Sequence, residues 1–303
     1  MVFVASRLAG DPVKLMTGLN PRITAEARQR LTEYYGLDQP IYIQFFRYIW
    51  ELFQGDLGNS YALRGGTPVT QLIGDYAWET FKLQLSSLFL SLVIAIPVGI
   101  TSARKQYSKL DVSVTTISIL GTCIPVFYIG IVGILVFSYF LGWFPPFGAH
   151  TLLAERYLFG NYYLDEIWHL ALPTAILTFA TLAPVVLLVR SSMLEILRQD
   201  YIQAARAGGL SERTVIYKHA LRNALIPVVT YVGLYFGGML AGAPITETVF
   251  NWPGVGRLYV EATTKLDFPL IMGITVFITL MTLFANLITD ITYAYIDPRI
   301  RIE

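Results

Sequence analysis

The chain is poor in charged residues and almost free of cysteine. Only 14% of its 303 residues are Asp, Glu, Lys or Arg, against about 25% in typical soluble domains. Hydrophobic residues make up 54% of the chain and the mean hydropathy is +0.54, so the composition favours an integral membrane protein. The single cysteine, Cys123, excludes an intrachain disulfide and a cysteine-rich metal site.

The common catalytic and nucleotide-binding motifs are also missing from the sequence. It contains no GxxxxGK[ST] phosphate loop, no HExxH metal motif and no GxSxG nucleophile elbow. Its histidines, His150, His169 and His219, are widely separated, which argues against a zinc or iron site. An intramembrane enzyme would need a catalytic dyad within its spans, and none is evident. We therefore predict no catalytic, cofactor-binding or metal-binding residue on this chain.

Long apolar runs from residue 79 onward predict membrane-spanning helices, because a span needs about 20 mainly apolar residues. We predict an all-α integral membrane protein with five full spans, at about residues 80–102, 112–141, 167–188, 224–244 and 269–295. The second run is long enough to tilt or kink, and it contains Pro125.

The first 78 residues differ in composition from the rest of the chain. Residues 1–10 are too few to span a membrane, and we expect them to be the remnant of a truncated first span; a mobile N-terminal tail is the alternative. Residues 11–78 are mixed and polar and are expected to form an extracytoplasmic segment. Within it, residues 23–35 could form an amphipathic helix, and the aromatic stretch 41–53 could lie at an interface or form a second helix. Residues 79–303 are expected to form the transmembrane domain.

Basic residues are unevenly divided between the two sets of loops. One set carries eleven Lys and Arg residues and the opposite short loops carry three. The first set comprises Arg104, Lys105, Lys109, Arg190, Arg198, Arg206, Arg213, Lys218, Arg222, Arg299 and Arg301, and the second comprises Arg156, Arg257 and Lys265. Cytoplasmic loops carry the excess of positive charge, so the first set is predicted to be cytoplasmic.

The cytoplasmic loop at about residues 191–223 is polar and basic although it lies between two apolar runs. Residues 201–207 are good helix formers, with Asp200 placed to cap the N-terminus. Gly208 and Gly209 are expected to end this helix, since glycine accepts the left-handed conformation of a C-terminal cap. Ser211 can cap a second helix over about 212–225. The loop is thus predicted to be a helix, a glycine turn and a helix, which is the shape of a docking element.

This loop resembles the EAA loop of ABC-importer permeases. Gln203-Ala204-Ala205 and Gly209 match the family spacing, with Gln in place of Glu, and the ending through Arg222 to Pro227 is similar to the dipeptide, oligopeptide and nickel branch. In that family the loop sits in a groove of a separate ATPase subunit. The resemblance implies a coupling role for Tyr201, Gln203, Ala204, Ala205, Arg206, Gly209 and Leu210.

A second stretch, ETVFNWPGVGRL from Glu247, resembles the signature of peptide permeases in the same place. Its Trp252-Pro253-Gly254 run is expected to make a rigid turn. The resemblance implies that the turn contributes to an outer gate or to the contact with a partner permease. The residues concerned are Glu247, Trp252, Pro253, Gly254 and Gly256.

The resemblance implies a type I ABC-importer permease, a multi-pass protein of the prokaryotic inner or plasma membrane surrounded by lipid. It would form half of a pathway for dipeptides, oligopeptides or related solutes such as nickel chelates. The implied partners are a second homologous permease subunit, two ATPase subunits that bind ATP and Mg²⁺, and an extracytoplasmic substrate-binding protein. No cofactor on this chain and no nucleic acid are implied.

The alternative function is a secondary transporter driven by an ion gradient. That class requires paired ionisable groups near the bilayer midplane and broken helices in repeated halves, and neither is evident here. Asn286 and Asp290 are spaced four residues apart and share a helix face, so they could line a path. Asp290, however, lies near the cytoplasmic end of its predicted span, where the free-energy cost of a charged carboxylate is small.

Overall fold

The computed structural model describes residues 37–153 and 158–296, together with Phe3, Glu26, Gln29, Thr32 and Glu33. The side chains of residues 159, 290 and 292–296 are not described. The predicted remnant of a first span and the predicted helix over 23–35 lie almost wholly outside these residues, as do Arg156, Arg299 and Arg301.

The described part of the chain is helical, and its one β-bridge pairs Asn59 with Pro68. The helices in the first half are α1 (Ile41–Phe53), α2 (Val69–Arg104), α3 (Lys109–Cys123), α4 (Val126–Gly133, continued by a π-helix over Ile134–Phe140) and α5 (Tyr162–Leu197). The second half contains α6 (Asp200–Ala207), α7 (Glu212–Thr214, followed by a π-helix over Val215–Ala220), α8 (Leu221–Ala224), α9 (Ile226–Met239), α10 (Pro244–Val249), α11 (Val255–Thr264) and α12 (Phe268–Ile296).

The two 36-residue helices α2 and α5 pack against each other and form the centre of the bundle. Their backbones approach closely at Gly99, where an added Cβ would lie 2.7 Å from Val189 Cβ. Small residues allow this kind of contact between membrane helices. α3 and α9 pack on α5, and α9 also packs on α12.

Three described helices are long and apolar enough to cross a membrane, namely α2, α5 and the Phe268–Thr289 part of α12. A fourth span results if α3 and the helix over Val126–Phe140 count as one, although they are bent by 96°. The predicted count of five full spans plus a truncated one is therefore not confirmed. The fourth predicted span, 224–244, is represented by α9, which has only 14 residues.

The boundaries of the predicted spans differ from the structure for identifiable reasons. α2 begins at Val69 rather than at Thr80, because its first three turns carry charged residues that hydropathy excludes from a span but that a helix accommodates. The run over 112–141 is broken because Pro125 lacks an N–H and disfavours the helical conformation at the residue before it. That residue, Ile124, is extended, with φ −87° and ψ 124°.

Candidate functional site

The structure brings the basic loops together at one end of the bundle, which we call the basic end. Asp111, at the start of α3, accepts two hydrogen bonds from Arg190 of α5, from Nε at 2.5 Å and from Nη2 at 2.8 Å. It also accepts from Ser102 Oγ at 2.5 Å and from the Tyr107 N–H at 2.9 Å. Asp111 is 2% exposed, so this bidentate pair joins α2, α3 and α5 in a mainly buried position.

The helix α6 follows directly from the basic end of α5. Its N-cap is Gln199 and not Asp200, which lies in the first turn, so the predicted cap was wrong by one residue. An acidic residue in the first turn still complements the helix dipole. The predicted glycine ending is confirmed: Gly209 has φ +81°, and the Leu210 N–H reaches back to Ala205 O at 3.3 Å.

The turn between α6 and α7 is held on both sides. Ser211 caps α7 by accepting from the Thr214 N–H at 3.3 Å, as predicted. Across the turn, Arg206 donates to Glu212 from Nη2 at 2.9 Å and from Nε at 3.2 Å. The Arg206 guanidinium lowers the pKa of Glu212, which keeps the pair ionised at neutral pH.

The predicted second helix over 212–225 is not uniformly α-helical. After α7 the backbone forms a π-helix over Val215–Ala220, and the Leu221 N–H bonds to Ile216 O, five residues back. π-helical segments are rare and concentrate at functional sites. The two arms of the turn thus differ, because α6 is a short regular helix and the returning arm is locally underwound.

The largest aliphatic side chain of α6 anchors the helix to the bundle. Ile202 is completely buried and belongs to the same hydrophobic cluster as Met193 of α5 and Val215 and Ile216 of the π-helix. A hydrogen bond from Asn223 Nδ2 to Tyr201 Oη, 2.7 Å long, adds a second connection between the arms. The sequence interpretation missed Ile202, although it is the only large aliphatic residue of α6.

The predicted coupling residues are divided between the exposed and the anchored face of α6. Six of them are exposed: Tyr201, Gln203, Ala204, Arg206, Gly209 and Leu210. Ala205 is half-buried and packs against the cluster that contains Ile202. Of the two alanines, only Ala204 therefore presents its methyl group to a partner surface.

At the opposite end of the bundle, Glu247 of α10 is completely buried in a loop region between α9 and α12. Its Oε1 accepts from Thr80 Oγ1 at 3.1 Å and from the Ala243 N–H at 3.1 Å, and its Oε2 accepts from the Arg257 N–H at 2.9 Å. Burial raises the pKa of Glu247, and these hydrogen bonds oppose the shift.

Three glycines leave room for the Glu247 carboxyl group. A Cβ added at Gly254 would lie 2.3 Å from Glu247 Cδ, one at Gly242 would lie 2.8 Å from Oε1, and one at Gly256 would lie 2.9 Å from Oε2. No side chain fits at these distances. Glycine is thus required at positions 254 and 256 of the predicted signature because the Glu247 side chain, seven and nine positions earlier in the sequence, occupies the adjacent space.

Trp252 fills the interior of this loop. It is completely buried, and its Nε1 donates to Glu79 O on α2 at 3.0 Å. Pro253 is partly exposed, whereas Gly254 and Gly256 are buried. The role of these residues in an outer gate or a partner contact stays a prediction.

A second buried carboxylate, which the sequence interpretation missed, ties residues 57–68 to this end. Asp267 Oδ2 accepts from Ser60 Oγ at 2.6 Å and from the Ala62 and Leu63 N–H groups at 3.0 and 3.1 Å. Ser60 and Asp267 are far apart in the sequence, so no local pattern could reveal this pair.

Comparison with known proteins gives a consistent result. A family model described as "Binding-protein-dependent transport system inner membrane component" matches residues 95–302. The chain is 43% identical over 299 residues to the oligopeptide transport system permease protein AppB of Bacillus subtilis (strain 168), covering 98% of this chain and 92% of that protein. It is 37% identical over 321 residues to the di/tripeptide transport system permease protein DppB of Pseudomonas aeruginosa (strain UCBPP-PA14), covering 99% and 93%.

Among solved structures, a chain of the MetNI methionine ABC transporter in an inward-facing conformation has a similar fold. The TM-score is 0.55 with 18% sequence identity, over 73% of this chain and 95% of that chain. At this identity the likeness concerns the fold alone.

Proposed function

Because the chain belongs to the family of binding-protein-dependent transport system inner membrane components, we propose that it is the permease subunit of an ATP-driven importer for peptides. Its relatives AppB and DppB are named for oligopeptide and for di- and tripeptide transport. The proposed class of substrate is therefore short peptides. The chain would form half of the transmembrane pathway, and a second, homologous permease would form the other half.

The observation that carries the proposal is the construction of the segment over residues 200–214. α6 is a short helix with an exposed face of small and polar side chains, closed by the Gly209 turn and by the Arg206–Glu212 pair. Its other face is fixed to the bundle through Ile202. A helix that is both exposed and anchored in this way suits the transmission of movement from a cytoplasmic ATPase subunit to the spans.

The mechanism follows from the same contacts. ATP and Mg²⁺ would bind to two ATPase subunits, and their closure would displace α6. The side chain of Ile202 would pass that displacement to the end of α5 and to the π-helix over Val215–Ala220, which leads into α9. The spans would then reorient as a two-state bundle and alternate access between the two sides. A substrate-binding protein would deliver the peptide at the opposite end.

The arrangement of spans is part of the proposal. α2, the bent pair of α3 and the helix over Val126–Phe140, α5, and α12 would each cross the membrane. α9 would complete the crossing together with the turn that follows it, which gives five spans.

The test compares matched variants of α6 in the complex purified from mild detergent. Ala204→Glu should remove the ATPase subunit from the complex, because a longer charged side chain stands on the exposed face; Ala204→Ser is the control and should retain it. Ala205→Glu is less informative, because Ala205 also packs against the chain's own core.

A second pair of variants separates docking from transmission. Ile202→Ala should retain the ATPase subunit but lower the number of peptides transported per ATP hydrolysed, and Ile202→Leu should restore most of that ratio. Retention of the ATPase and normal transport in Ala204→Glu would refute the docking assignment. Peptide uptake into liposomes that is driven by an ion gradient without ATP would show that the protein is a secondary transporter and not an ATP-driven importer.

A further inference from the structure

The helix α1 (Ile41–Phe53) has three distinct faces. Tyr42, Phe46, Trp50 and Phe53 follow each other at intervals of three or four residues and therefore share one face. On the second face, the rings of Phe45 and Tyr48 lie 5.4 and 5.6 Å from the ring of Phe3. Polar side chains occupy the third. We call the four residues of the first face the aromatic stripe.

The aromatic stripe is largely uncovered within the chain. Tyr42, Phe46, Trp50 and Phe53 are 61%, 69%, 68% and 84% exposed. Soluble surfaces rarely display four large aromatic side chains in a continuous row, and such a row marks an interaction surface. The coupling function of the basic end makes no use of it.

The stripe carries no free charge. The charged side chains of α1 are Arg47 and Glu51, and they pair with each other through Arg47 Nε and Glu51 Oε1 at 2.8 Å. This pair lies beside the stripe on the polar face. A large apolar face that carries Trp and Phe is shared with helices that lie in the plane of a membrane surface. Those helices commonly carry many Lys and Arg residues on the polar face, whereas Arg47 is here neutralised by Glu51. Attachment of α1 to a membrane would therefore depend on the burial of apolar area and not on attraction to anionic lipids.

The C-terminal end of α1 lies near the level where a span begins. Leu57 packs with Val69, Leu270 and Ile274, and an added Cβ at Gly273 would lie 3.5 Å from Leu57 Cβ. Leu57 is therefore beside the first turns of α12, a candidate membrane span. Three residues separate Phe53 from Leu57, so the two Cα atoms are four residue steps apart and the end of α1 lies within about 14 Å of that level.

Hydrogen bonds order the turn between α1 and Leu57. The N–H groups of Gln54 and Asp56 both bond to Glu51 O at 3.0 Å, and the Gly58 N–H bonds to Asp56 Oδ1 at 2.8 Å. Gly55, with φ +77°, makes the turn. These bonds define the turn through which α1 is joined to Leu57.

We propose that α1 lies in the membrane interface at the end opposite the basic end, with Tyr42, Phe46, Trp50 and Phe53 inserted among the lipid headgroups and upper acyl chains. Aromatic side chains of this kind concentrate at membrane–water boundaries. Trp78, near the start of α2, and Trp143, in the loop after α4, are also more than half exposed and continue the aromatic character of this end. The lipid surface would anchor the segment in which α1 lies, whether or not the bundle is coupled to an ATPase.

The test uses spin labels on the full chain in its complex, reconstituted in vesicles of three parts phosphatidylethanolamine and one part phosphatidylglycerol. Cys123, an exposed cysteine, is first replaced by Ala. Single cysteines are then placed at Phe46 and Phe53 on the stripe and at Arg47 on the polar face. Phe46 and Arg47 are sequence neighbours but point about 100° apart around the helix, so they form a matched pair.

The measured quantity is the ratio of accessibility to oxygen, which dissolves in lipid, over accessibility to a water-soluble nickel chelate. We expect a ratio several-fold higher at positions 46 and 53 than at 47. Equal ratios would overturn the proposal. So would high nickel access at position 46 that disappears only when the substrate-binding protein is added, because a protein would then cover the stripe.

A second measurement uses unlabelled side chains and does not depend on the cysteine variants folding. Brominated lipids should quench part of the tryptophan fluorescence of the wild-type complex, and that quenched part should decrease in Trp50→Phe. An unchanged quenched fraction in Trp50→Phe would also contradict insertion of the stripe.

Discussion

Replacement of Gly254 by alanine tests the interpretation of the Glu247 loop most directly. Gly254 has φ −100° and ψ 166°, a conformation that any residue adopts, so the backbone imposes no cost on Ala. The cost is steric, because the new methyl carbon would lie 2.3 Å from Glu247 Cδ and 2.4 Å from Oε2. Neither group can move away freely, since both carboxylate oxygens are hydrogen-bonded.

Two contributions set the magnitude for Gly254→Ala. Overpacking a close-packed interior costs about 1–3 kcal/mol. Displacement of the carboxyl group leaves buried donors unpaired, which costs about 1–3 kcal/mol more. We expect a loss of roughly 3–5 kcal/mol in the free energy of unfolding, or a fall of roughly 10 °C in the thermal midpoint of the purified chain in detergent.

Gly74→Ala is the matched control for this variant. Gly74 lies inside α2, and an added Cβ there meets no atom within 4 Å. Because Ala is the better helix former, the control should be neutral or more stable by about 0.5–1 kcal/mol. Equal effects of the two substitutions would refute the steric argument.

A double-mutant cycle separates the carboxyl contact from other effects. Glu247→Ala leaves the Thr80 hydroxyl and the Ala243 and Arg257 N–H groups without their acceptor, so that variant is itself destabilised. In the Glu247→Ala background, however, Gly254→Ala should lower the free energy of unfolding much less, because the carboxyl atoms that the new methyl group would meet are absent. Additive costs would show that the Glu247 carboxyl group is not what excludes a side chain at position 254.

Further predictions concern the two charged centres. Arg190→Met should lower the free energy of unfolding by about 3–5 kcal/mol in a denaturation assay, because it leaves the buried Asp111 carboxylate uncompensated. Arg198→Met should change it by less than about 0.5 kcal/mol, since the exposed Arg198 side chain donates a long hydrogen bond, 3.4 Å, to Gln106. Because the pKa of Glu247 is raised above its ordinary value of 4.5, its protonation stabilises the fold below that value, and this contribution is lost as the pH rises through the raised pKa. The thermal midpoint of the wild type minus that of Glu247→Gln should therefore decrease from pH 4 upward, and a difference that increases with pH would contradict the shift.

Local patterns predicted the parts of the fold that depend on neighbouring residues. Gly209 and Ser211 were placed correctly, because a C-terminal cap and an N-terminal cap are decided by the backbone within one turn. The presence of helices along the apolar runs was also confirmed. The bend at Pro125 was foreseen only as a kink, because the sequence shows that the proline interrupts hydrogen bonding but not how the next helix packs.

The parts that sequence could not provide depend on contacts between distant residues. The role of Ile202 arises from Met193, Val215 and Ile216, which the fold brings around it. The spacing of Gly254 and Gly256 looks like that of an ordinary turn until Glu247 is placed between them. The early start of α2 also involves distant residues. Thr80, where the span was predicted to begin, lies inside the helix and is hydrogen-bonded to Glu247 and to the Val255 N–H.

The two ends of the bundle are built for different mechanical tasks. At the end opposite the basic end, three completely buried carboxylates, Asp165, Glu247 and Asp267, each accept backbone N–H groups from loops that are otherwise irregular. Such groups are costly to separate from their donors, so these loops should move as rigid bodies.

The basic end has a different construction. There the segment over residues 200–214 is joined to the bundle mainly by the apolar side chain of Ile202 and by one exposed hydrogen bond from Asn223, and its returning arm is a π-helix. Apolar contacts are non-directional and tolerate a change of angle that a buried hydrogen-bonded carboxylate does not. A displacement applied at α6 would therefore reach the ends of α5 and α9 without separating a buried carboxylate from its donors, and the Asp111–Arg190 pair would carry α2 and α3 along with α5. The loops of the opposite end would stay intact during this movement.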